Sequence, residues 1–261
     1  MKLKQFLMKI MLRLFGAKGF SKILVQTEGS KTYIKFCEKV YGRYLCQFNM
    51  VDEEQLQKLI SLIGDGNGKK ILDLGCGSGY ISEYIAKETG ATIFGIDFAK
   101  GAIESAKERN KNNNIEFSIG NINELNFPDE SFDYVLTIDT LYFGSDLGKT
   151  VKNIQRILKP SGKLISFYSS RKTDLTKSGP ESTGLGKILE IENIKYDFWD
   201  YTENEKNVWV NTLKISEELK QDFINEGNLE IYKGRVAEAS KNLKWQSNGE
   251  MVRYLYYVYL K

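Results

Sequence analysis

The sequence predicts an α/β fold with a doubly wound, mostly parallel sheet. Short apolar segments near 70–74, 92–97, 115–119, 133–138 and 163–168 alternate with amphipathic segments at the spacing of β-α-β units. A turn with three glycines joins the first apolar segment to the amphipathic segment that follows it. The 261 residues, 41% hydrophobic and 27% charged, can bury one substantial core or two small ones, and we expect one domain with an elaboration.

The segments between the strands have the periodicity of amphipathic helices. Helices are predicted at 78–89, 99–112 and 147–159. Pro160 and Gly162 end the third helix, because proline cannot continue a helix and disfavours helical backbone in the residue before it. Ser216–Glu226 predicts a further helix, and the Tyr-, Val- and Leu-rich run Met251–Leu260 predicts the last strand.

The N-terminal segment predicts a basic amphipathic helix. Between Met1 and Thr27 there are six basic residues and no acidic one. Apolar residues recur at helical spacing opposite these charges, at Leu3, Phe6, Leu7, Ile10, Met11, Leu14 and Phe15. Lys9 and Arg13 interrupt the apolar run that a secretory signal needs, and no other stretch approaches the roughly 20 apolar residues of a membrane span. We therefore expect a soluble or peripheral protein of the cytoplasm.

The composition excludes several kinds of site. The chain has no histidine, which excludes a Ser-His-Asp triad and any metal centre with histidine ligands. Its three cysteines, Cys37, Cys46 and Cys76, contain no C-x-x-C pair, so neither a disulfide framework nor a metal site is predicted. The net charge of +3 is far from the strongly basic balance of a chain devoted to nucleic acid.

The segment ILDLGCGSGY at 71–80 predicts a ligand-binding turn between a strand and a helix. Gly75, Gly77 and Gly79 allow a ligand to approach the backbone, although a tight turn without a ligand is the alternative. The spacing G-x-G-x-G differs from the G-x-G-x-x-G of dinucleotide-binding proteins. Asp97 ends the second strand, where a carboxylate can accept hydrogen bonds from both hydroxyls of a ribose. Its alternative role is to cap the helix that begins at Ala99.

Four segments in this order resemble the class I S-adenosylmethionine-dependent methyltransferases. They are ILDLGCGSGY, FGIDFAKGAIESAKER, FSIGNINELNFPDESFDYVLTID and ILKPSGKLI, and they lie within residues 65–169. The resemblance implies a Rossmann-like sheet of about seven strands, preceded by helices and with a lid inserted before the last strands. It also implies an enzyme that uses S-adenosyl-L-methionine and releases S-adenosyl-L-homocysteine.

The resemblance implies which residues contact the cofactor. In that family the glycine loop faces the methionine part, the acid after the second strand binds ribose, the next residue packs on adenine, and residues after the third strand meet the adenine edge. The expected contacts in the core are Asp73, Gly75, Cys76, Gly77, Tyr80, Asp97, Phe98, Asn121, Ile122 and Ile138. From the segment before the core we add Tyr41 and Arg43; the arginine either pairs with the cofactor carboxylate or is a solvated surface residue.

The absence of two sequence motifs limits the classes of methyl acceptor that the chain can be expected to use. No proline adjoins a cysteine, and TIDTLYFGSD stands where adenine N6 methyltransferases carry a Pro-Pro-aromatic motif, so the sequence argues against methylation of nucleic acid bases. We expect a small-molecule acceptor with an O, N or C nucleophile. The alternative is a protein-directed or non-catalytic binder of S-adenosylmethionine that docks through its basic N-terminal helix.

Two residues after the fourth strand are candidate catalytic groups. Asp139 can hold an amine or take its proton, or else cap a helix. Tyr142 can orient the acceptor, or else pack as an ordinary aromatic residue. Because methyl transfer from a sulfonium depends mainly on alignment, a strong acid or base is optional.

The expected domain organisation follows the resemblance. Residues 1–64 form a helical cap, 65–169 the cofactor-binding core, and 216–261 the end of the sheet. Residues 170–215 are too long for a plain connection and form an insertion, which serves as a substrate lid or, alternatively, only as a second apolar cluster of the core. We expect residues 1–20 to fold over the active site, with contact to an anionic membrane surface as the alternative. The sequence does not predict the oligomeric state.

Overall fold

The computed structural model describes residues 16–173 and 175–260, and its centre is a seven-stranded sheet in the order β3-β2-β1-β4-β5-β7-β6. The strands are β1 (Lys70–Leu74), β2 (Thr92–Asp97), β3 (Ile115–Ile119), β4 (Phe132–Ile138), β5 (Leu158–Arg171), β6 (Tyr196–Asp200) and β7 (Met251–Val258). Only β7 runs antiparallel to its neighbours in this sheet. The predicted doubly wound, mostly parallel sheet is confirmed.

Helices cover both faces of the sheet. They are α1 (Gly16–Glu28), α2 (Lys31–Tyr41), α3 (Glu53–Ile63), α4 (Tyr80–Thr89), α5 (Lys100–Arg109), α6 (Leu147–Ile157), α7 (Gly184–Ile191), α8 (Thr202–Glu218), α9 (Lys220–Asn225) and α10 (Leu229–Ser247). Side-chain caps begin four of the described helices, because Ser30, Asp52, Asp146 and Thr183 accept hydrogen bonds from backbone N–H groups of the first turn. The helix predicted at 147–159 ends two residues early, since Leu158 pairs with Phe132 and starts β5.

The insertion does not lie where the sequence analysis expected it. The segment 170–215 contains β6, whose aromatic residues pair with β7 from Tyr196 opposite Val258 to Asp200 opposite Tyr254. The helical excursion α8 to α10 follows β6 and precedes β7. The aromatic run 196–200 is therefore part of the sheet rather than part of a lid, and the helix predicted at Ser216–Glu226 corresponds to the end of α8 together with α9.

Two apolar clusters fill the two faces of the sheet, and a third joins α2 to the inserted helices α8 to α10. In the third cluster the rings of Phe36 on α2 and Phe223 on α9 meet edge to face, with centroids 6.3 Å apart. Helix α1 packs along α5 instead, where Gly101 N–H donates to Ser21 Oγ at 2.7 Å. The basic stripe predicted over residues 1–15 lies outside the described residues.

None of the helices described within residues 16–173 and 175–260 combines the length and the apolar character needed to cross a bilayer.

Candidate active site

The loop after β1 contains three glycines with positive φ, at +89° for Gly75, +55° for Gly77 and +78° for Gly79. A Cβ at Gly75 would collide with the side chain of Thr140, and one at Gly79 would collide with the ring of Phe117. No described atom lies within 4 Å of the place a Cβ would take at Gly77. Two glycines therefore allow close packing, and the third leaves its backbone open to a ligand.

Asp97 joins the glycine loop to the start of α5. Its Oδ2 accepts a hydrogen bond from Gly77 N–H at 3.0 Å, and its Oδ1 accepts one from Ala99 N–H at 2.8 Å. The side chain is buried, and burial raises the pKa of Asp97 above its ordinary value. A carboxylate has about four lone-pair sites, so the backbone N–H groups of Gly77, Ala99 and Phe98 leave capacity for a hydroxyl. The capping contact is thus present, and the ribose contact stays a prediction.

Asp73 and Cys76 flank Gly75. Asp73 is buried on β1 and accepts a hydrogen bond from Ser82 Oγ at 2.5 Å. Burial raises the pKa of Asp73 to about 6, with the charge of Asp97 adding to the effect and the Ser82 hydrogen bond opposing it. Burial also raises the pKa of the Cys76 thiol well above its ordinary value, so this thiol is protonated at neutral pH and is a poor nucleophile.

A cleft of about 650 Å³ opens beyond the carboxyl ends of β2 and β3. It is lined by Ile96, Phe98, Ser118, Ile119, Gly120, Asn121, Glu124, Asn126 and Phe127. Phe98 and Asn121 were expected in this place, whereas Ile122 packs against the apolar cluster on one face of the sheet. Asn121 Oδ1 accepts hydrogen bonds from the backbone and side-chain amides of Asn123, each at 3.0 Å. The Asn121 amide is therefore held in one orientation beside the cleft.

Tyr80 begins α4 and is covered on two sides. The ring of Tyr44 meets it edge to face at 5.3 Å, and the guanidinium carbon of Arg109 lies 3.7 Å from its centroid. Arg109 also donates to the carbonyl of Ser78 at 2.5 Å and to Glu28 on α1 at 3.2 Å. Arg109 thus connects the glycine loop with the N-terminal helix.

Tyr41 and Arg43 are both engaged by other side chains of the protein. Tyr41 is buried, and its hydroxyl accepts a hydrogen bond from Arg235 Nη2 at 2.8 Å. Arg43 donates to both oxygens of Glu53, at 2.5 and 2.6 Å, and its guanidinium carbon lies 4.4 Å from the ring centroid of Tyr84. Arg43 is neither free nor a simple solvated arginine, and its contact with the cofactor carboxylate stays a prediction.

Asp139 forms a buried ion pair at the end of β4, next to the buried Ile138. Its two carboxylate oxygens accept hydrogen bonds from Arg253 Nη1 at 2.8 and 2.9 Å, and Oδ2 also accepts one from Met50 N–H at 3.1 Å. The backbone of Asp139 has a φ of +53°. Asp139 caps no helix here, since the cap of α6 is Asp146. These contacts fix the carboxylate and leave it little freedom to act as a base.

Arg253 is fully buried on β7, opposite Ser169 of β5. Its Nε donates to Gln55 Oε1 at 2.7 Å, and its Nη1 donates to Ser169 Oγ at 2.6 Å as well as to Asp139. Its Nη2 has no hydrogen-bond acceptor among the described residues. Burial acts to lower the pKa of Arg253, but the carboxylates of Asp139 and Glu205 raise it, and the net result lies above its ordinary value.

Tyr142 lies in the short turn that follows Asp139. Its ring packs edge to face on Phe143 and Tyr168, with centroids 4.5 and 5.9 Å away. Burial raises the pKa of Tyr142 well above its ordinary value, and the charge of Asp139 raises it further. The phenol therefore stays protonated at neutral pH, which suits it to donate a hydrogen bond rather than to accept a proton.

Comparison with known proteins identifies the family. Residues 65–226 match a family described as a methyltransferase domain. The chain belongs to this family. The expected membership of the class I S-adenosylmethionine-dependent methyltransferases is thereby confirmed.

Each sequence relative matches this methyltransferase domain over only part of its own length. Phosphoethanolamine N-methyltransferase 3 from Arabidopsis thaliana is 23% identical over 255 residues, which cover 89% of this chain and 50% of that protein. Demethylmenaquinone methyltransferase from Bacillus licheniformis is 30% identical over 159 residues, which cover 57% of this chain and 66% of that protein. The chain thus spans less than two thirds of the length of either relative.

Solved structures share the fold of this methyltransferase domain. Phosphoethanolamine N-methyltransferase 2 from Haemonchus contortus, in complex with S-adenosyl-L-methionine, has a TM-score of 0.72 at 21% identity, over 92% of this chain and 59% of that chain. The cyclopropane synthase MmaA2 from Mycobacterium tuberculosis has a TM-score of 0.68 at 15% identity, over 89% of this chain and 95% of that chain. Both confirm the Rossmann-like methyltransferase fold.

The sequence analysis missed several polar residues that converge on Asp139 and Tyr41. They are Gln55, Ser169, Arg235 and Arg253. One of them had a visible signal: Arg253 is the single charged residue in the run MVRYLYYVYL, and a charge inside a buried strand is rare unless it is paired. The other three lie on helices or strands with unremarkable local sequence.

Proposed function

We propose that this methyltransferase domain binds S-adenosylmethionine at the glycine loop and transfers the methyl group to an O, N or C atom of a small-molecule acceptor. The observation that carries the proposal is the 3.0 Å hydrogen bond from Gly77 N–H to Asp97 Oδ2. It holds a ribose-binding type of carboxylate beside the open backbone of the loop, and the residue after Asp97 lines the 650 Å³ cleft.

The residues present fit this cofactor. Asp97 keeps acceptor capacity for a hydroxyl, Phe98 offers an apolar ring, and Asn121 offers both a donor and an acceptor for the edge of a base. The open position beside Gly77 leaves room for close approach to the backbone. When bound, the cofactor supplies a sulfonium whose methyl carbon is open to displacement by a nucleophile.

The acceptor would lie between the carboxyl end of β4 and the inserted helices. We define this acceptor region by Tyr41, Asp139, Tyr142, Arg235 and Arg253. Three of them are polar groups of the sheet edge, one comes from α2 and one from α10. The buried Arg253–Asp139 pair keeps the sheet edge rigid, and the protonated Tyr142 phenol can orient the acceptor by donating a hydrogen bond. The residues would thus supply alignment, which is the main requirement of this reaction.

Calorimetry tests the proposal directly. The protein should bind S-adenosylhomocysteine and show no heat with NAD(H), because the loop has the G-x-G-x-G spacing and is followed by three further segments that resemble the methyltransferase family. S-Adenosylmethionine carrying a labelled methyl group should then label a small molecule in the presence of an acceptor mixture. Binding of NAD(H) without binding of S-adenosylhomocysteine would overturn the proposal.

A further inference from the structure

Two buried arginines of the acceptor region carry N–H groups that no described residue accepts. Arg253 on β7 has an exposed fraction of 0%, and Arg235 on α10 has one of 2%. The groups in question are Nη2 of Arg253 and Nε of Arg235. On the same helix, Asn242 lies seven residues after Arg235, is also buried, and has an Oδ1 without a donor in the described part of the chain. Buried donors of this kind are rare in folded proteins and indicate a missing partner.

Contacts connect the two arginines through one continuous polar region. Arg235 Nη2 donates to Tyr41, and its guanidinium carbon lies 5.8 Å from the ring of Trp209. Trp209 Nε1 in turn donates to Glu205 Oε1 at 3.2 Å. Glu205 is fully buried, and its charge acts on Arg253 together with that of Asp139. The two guanidinium groups therefore belong to one buried polar region, which includes Trp209 and Glu205.

The chemistry of these groups selects an oxygen-bearing ligand. A guanidinium has only donors, and its planar fork matches the geometry of a carboxylate or a phosphate. A sterol or another apolar acceptor would keep the N–H groups of Arg253 and Arg235 buried without partners, which is unfavourable. An oxyanion would satisfy them, with charge-assisted hydrogen bonds.

The balance of charge adds a second condition. The buried charged groups described in this region are the basic Arg253 and Arg235 and the acidic Asp139 and Glu205, whose formal charges cancel. Glu238 pairs with Arg235 at 2.9 Å, but its side chain is half-exposed. Its charge is therefore in contact with water and does not count among the buried charges. A ligand with a net charge would leave an uncompensated charge in this buried region, whereas a zwitterion with no net charge would not.

We propose that the acceptor is a small zwitterion whose oxyanion is bound by Arg253 and Arg235 and whose amine balances it. The inference rests on the proposed function, because it places this molecule beside the bound cofactor. The shared chemistry is an amine joined to an oxyanion, and the oxyanion is either a carboxylate or a phosphate.

The test uses the full chain loaded with S-adenosylhomocysteine and measures binding of simple probes by calorimetry. Glycine and O-phosphoethanolamine are the zwitterions, and they are measured near pH 5, below the second phosphate pKa of about 6, where both are close to net-neutral. Acetate and methylamine are their single-charge counterparts, and geraniol is the apolar probe. At least one zwitterion should bind about tenfold more tightly than its single-charge counterparts, and geraniol should not bind. The stronger of the two zwitterions identifies the oxyanion.

Two conservative variants and a control assign the site. R253K and R235K keep the positive charge but remove N–H donors, and each should weaken the zwitterion about tenfold or more. R171K is the control, because Arg171 is a half-exposed arginine of β5 that pairs with Glu250. All three should bind S-adenosylhomocysteine as the unmodified protein does, which also shows that they are folded; should R253K fail to fold, R235K decides the assignment.

The outcomes separate the two proposals. Failure of the unmodified protein to bind S-adenosylhomocysteine contradicts the proposed function. Normal binding of S-adenosylhomocysteine together with binding of geraniol alone, or of no probe, overturns the zwitterion. Equal zwitterion affinity in R253K, R235K and R171K overturns the role of the two arginines.

Discussion

Asp97 serves two neighbours at once. Its carboxylate accepts the N–H of Gly77 in the loop and the N–H of Ala99 at the start of α5, so it fixes the loop against the helix. The same two oxygens retain acceptor capacity, and the neighbours of Asp97 in the chain, Ile96 and Phe98, line the cleft. A single residue therefore couples the geometry of the loop to the binding of a ribose.

The substitution D97A should weaken binding of S-adenosylhomocysteine by about 1.5–3 kcal/mol, the range for hydrogen bonds to a charged group. The cause is the loss of the ribose acceptor together with the anchor of Gly77. Calorimetry gives the affinity, and thermal unfolding of the ligand-free protein reports the fold. D146A is the control, because Asp146 caps α6 away from the loop. If D97A shows a large loss of thermal stability but normal affinity of the folded fraction, Asp97 is only a cap.

Asp139 shows where local sequence stops being informative. Its position after β4 could be predicted from the alternation of strands and helices, and so could those of the glycine loop and of Asp97. Its partner could not, because Arg253 lies 114 residues further along the chain and reaches Asp139 only through the pairing of β5 with β7. Contacts across a sheet depend on strand order, which no local pattern encodes.

At the scale of elements, strands β1 to β4 agree with the sequence expectation to within one residue, because each is a short apolar run between turn residues. The aromatic run of β6 was misassigned for a physical reason. As an edge strand it has half-buried and exposed positions, so it lacks the continuous burial that marks the central strands. The inserted helices α8 to α10 come after β6 along the chain, so β6 is not part of the insertion.

Arg109 links three elements, α1, α4 and α5, to the glycine loop. It donates to Glu28 on α1, to Glu83 on α4 and to the carbonyl of Ser78, while its guanidinium covers Tyr80. Glu28 also accepts a hydrogen bond from Ser105 on α5. Together these contacts hold α1 against α5 and the loop. Docking of α1 and the shape of the loop should therefore depend on one side chain.

The substitution R109A should detach α1 and weaken the cofactor site together. Amide hydrogen exchange over residues 16–28 should rise by about tenfold or more, since local opening no longer breaks these ion pairs. The affinity for S-adenosylhomocysteine should fall in the same variant. K107A, at an exposed lysine of the same helix, should change neither. A normal exchange rate over 16–28 in R109A would show that Ser21 and the apolar contacts dock α1 without Arg109.

At the scale of the whole molecule, the N-terminal helices and the insertion behave as one covering layer. The third apolar cluster joins α2 to α8, α9 and α10, and Glu226 joins the loop after α9 to the start of α2. Glu226 accepts hydrogen bonds from Ser30 Oγ at 2.6 Å, Lys31 N–H at 2.7 Å and Thr32 N–H at 3.2 Å. The start of α2 and the loop after α9, which lie about 190 residues apart in the sequence, are thus joined by hydrogen bonds in one layer of helices.

Glu226 makes this closure depend on pH. Burial alone would raise the pKa of Glu226, but the hydrogen bonds from Ser30, Thr32 and Lys31 outweigh it and lower the pKa to about 2. The contribution of an acid with a lowered pKa is present above its unfolded pKa of about 4.3 and is lost as the pH falls towards 2. Because the side chain is exposed to water, we expect no more than about 1 kcal/mol.

The substitution E226Q should therefore lower the free energy of unfolding by about 0.5–1 kcal/mol at pH 7 and by nothing measurable near pH 2. Urea unfolding at the two pH values measures the difference. E230Q is the control, because Glu230 lies on the same side of the insertion and pairs only with Lys233 among the described residues. A deficit in E226Q that is as large near pH 2 as at pH 7 would show that the carboxylate charge is not the cause.

The position of β7 between β5 and β6 also sets the order in which the chain can assemble during synthesis. Every strand from β1 to β5 has a sheet neighbour that precedes it or follows it closely, but β6 pairs only with β7, whose residues 251–258 leave the ribosome about 50 residues later. Until then β6 has no ladder to join, and Asp139 has no guanidinium beside it. The cleft beside the glycine loop can thus form before the acceptor region, which is completed only when β7 has emerged after the other six strands of this sheet.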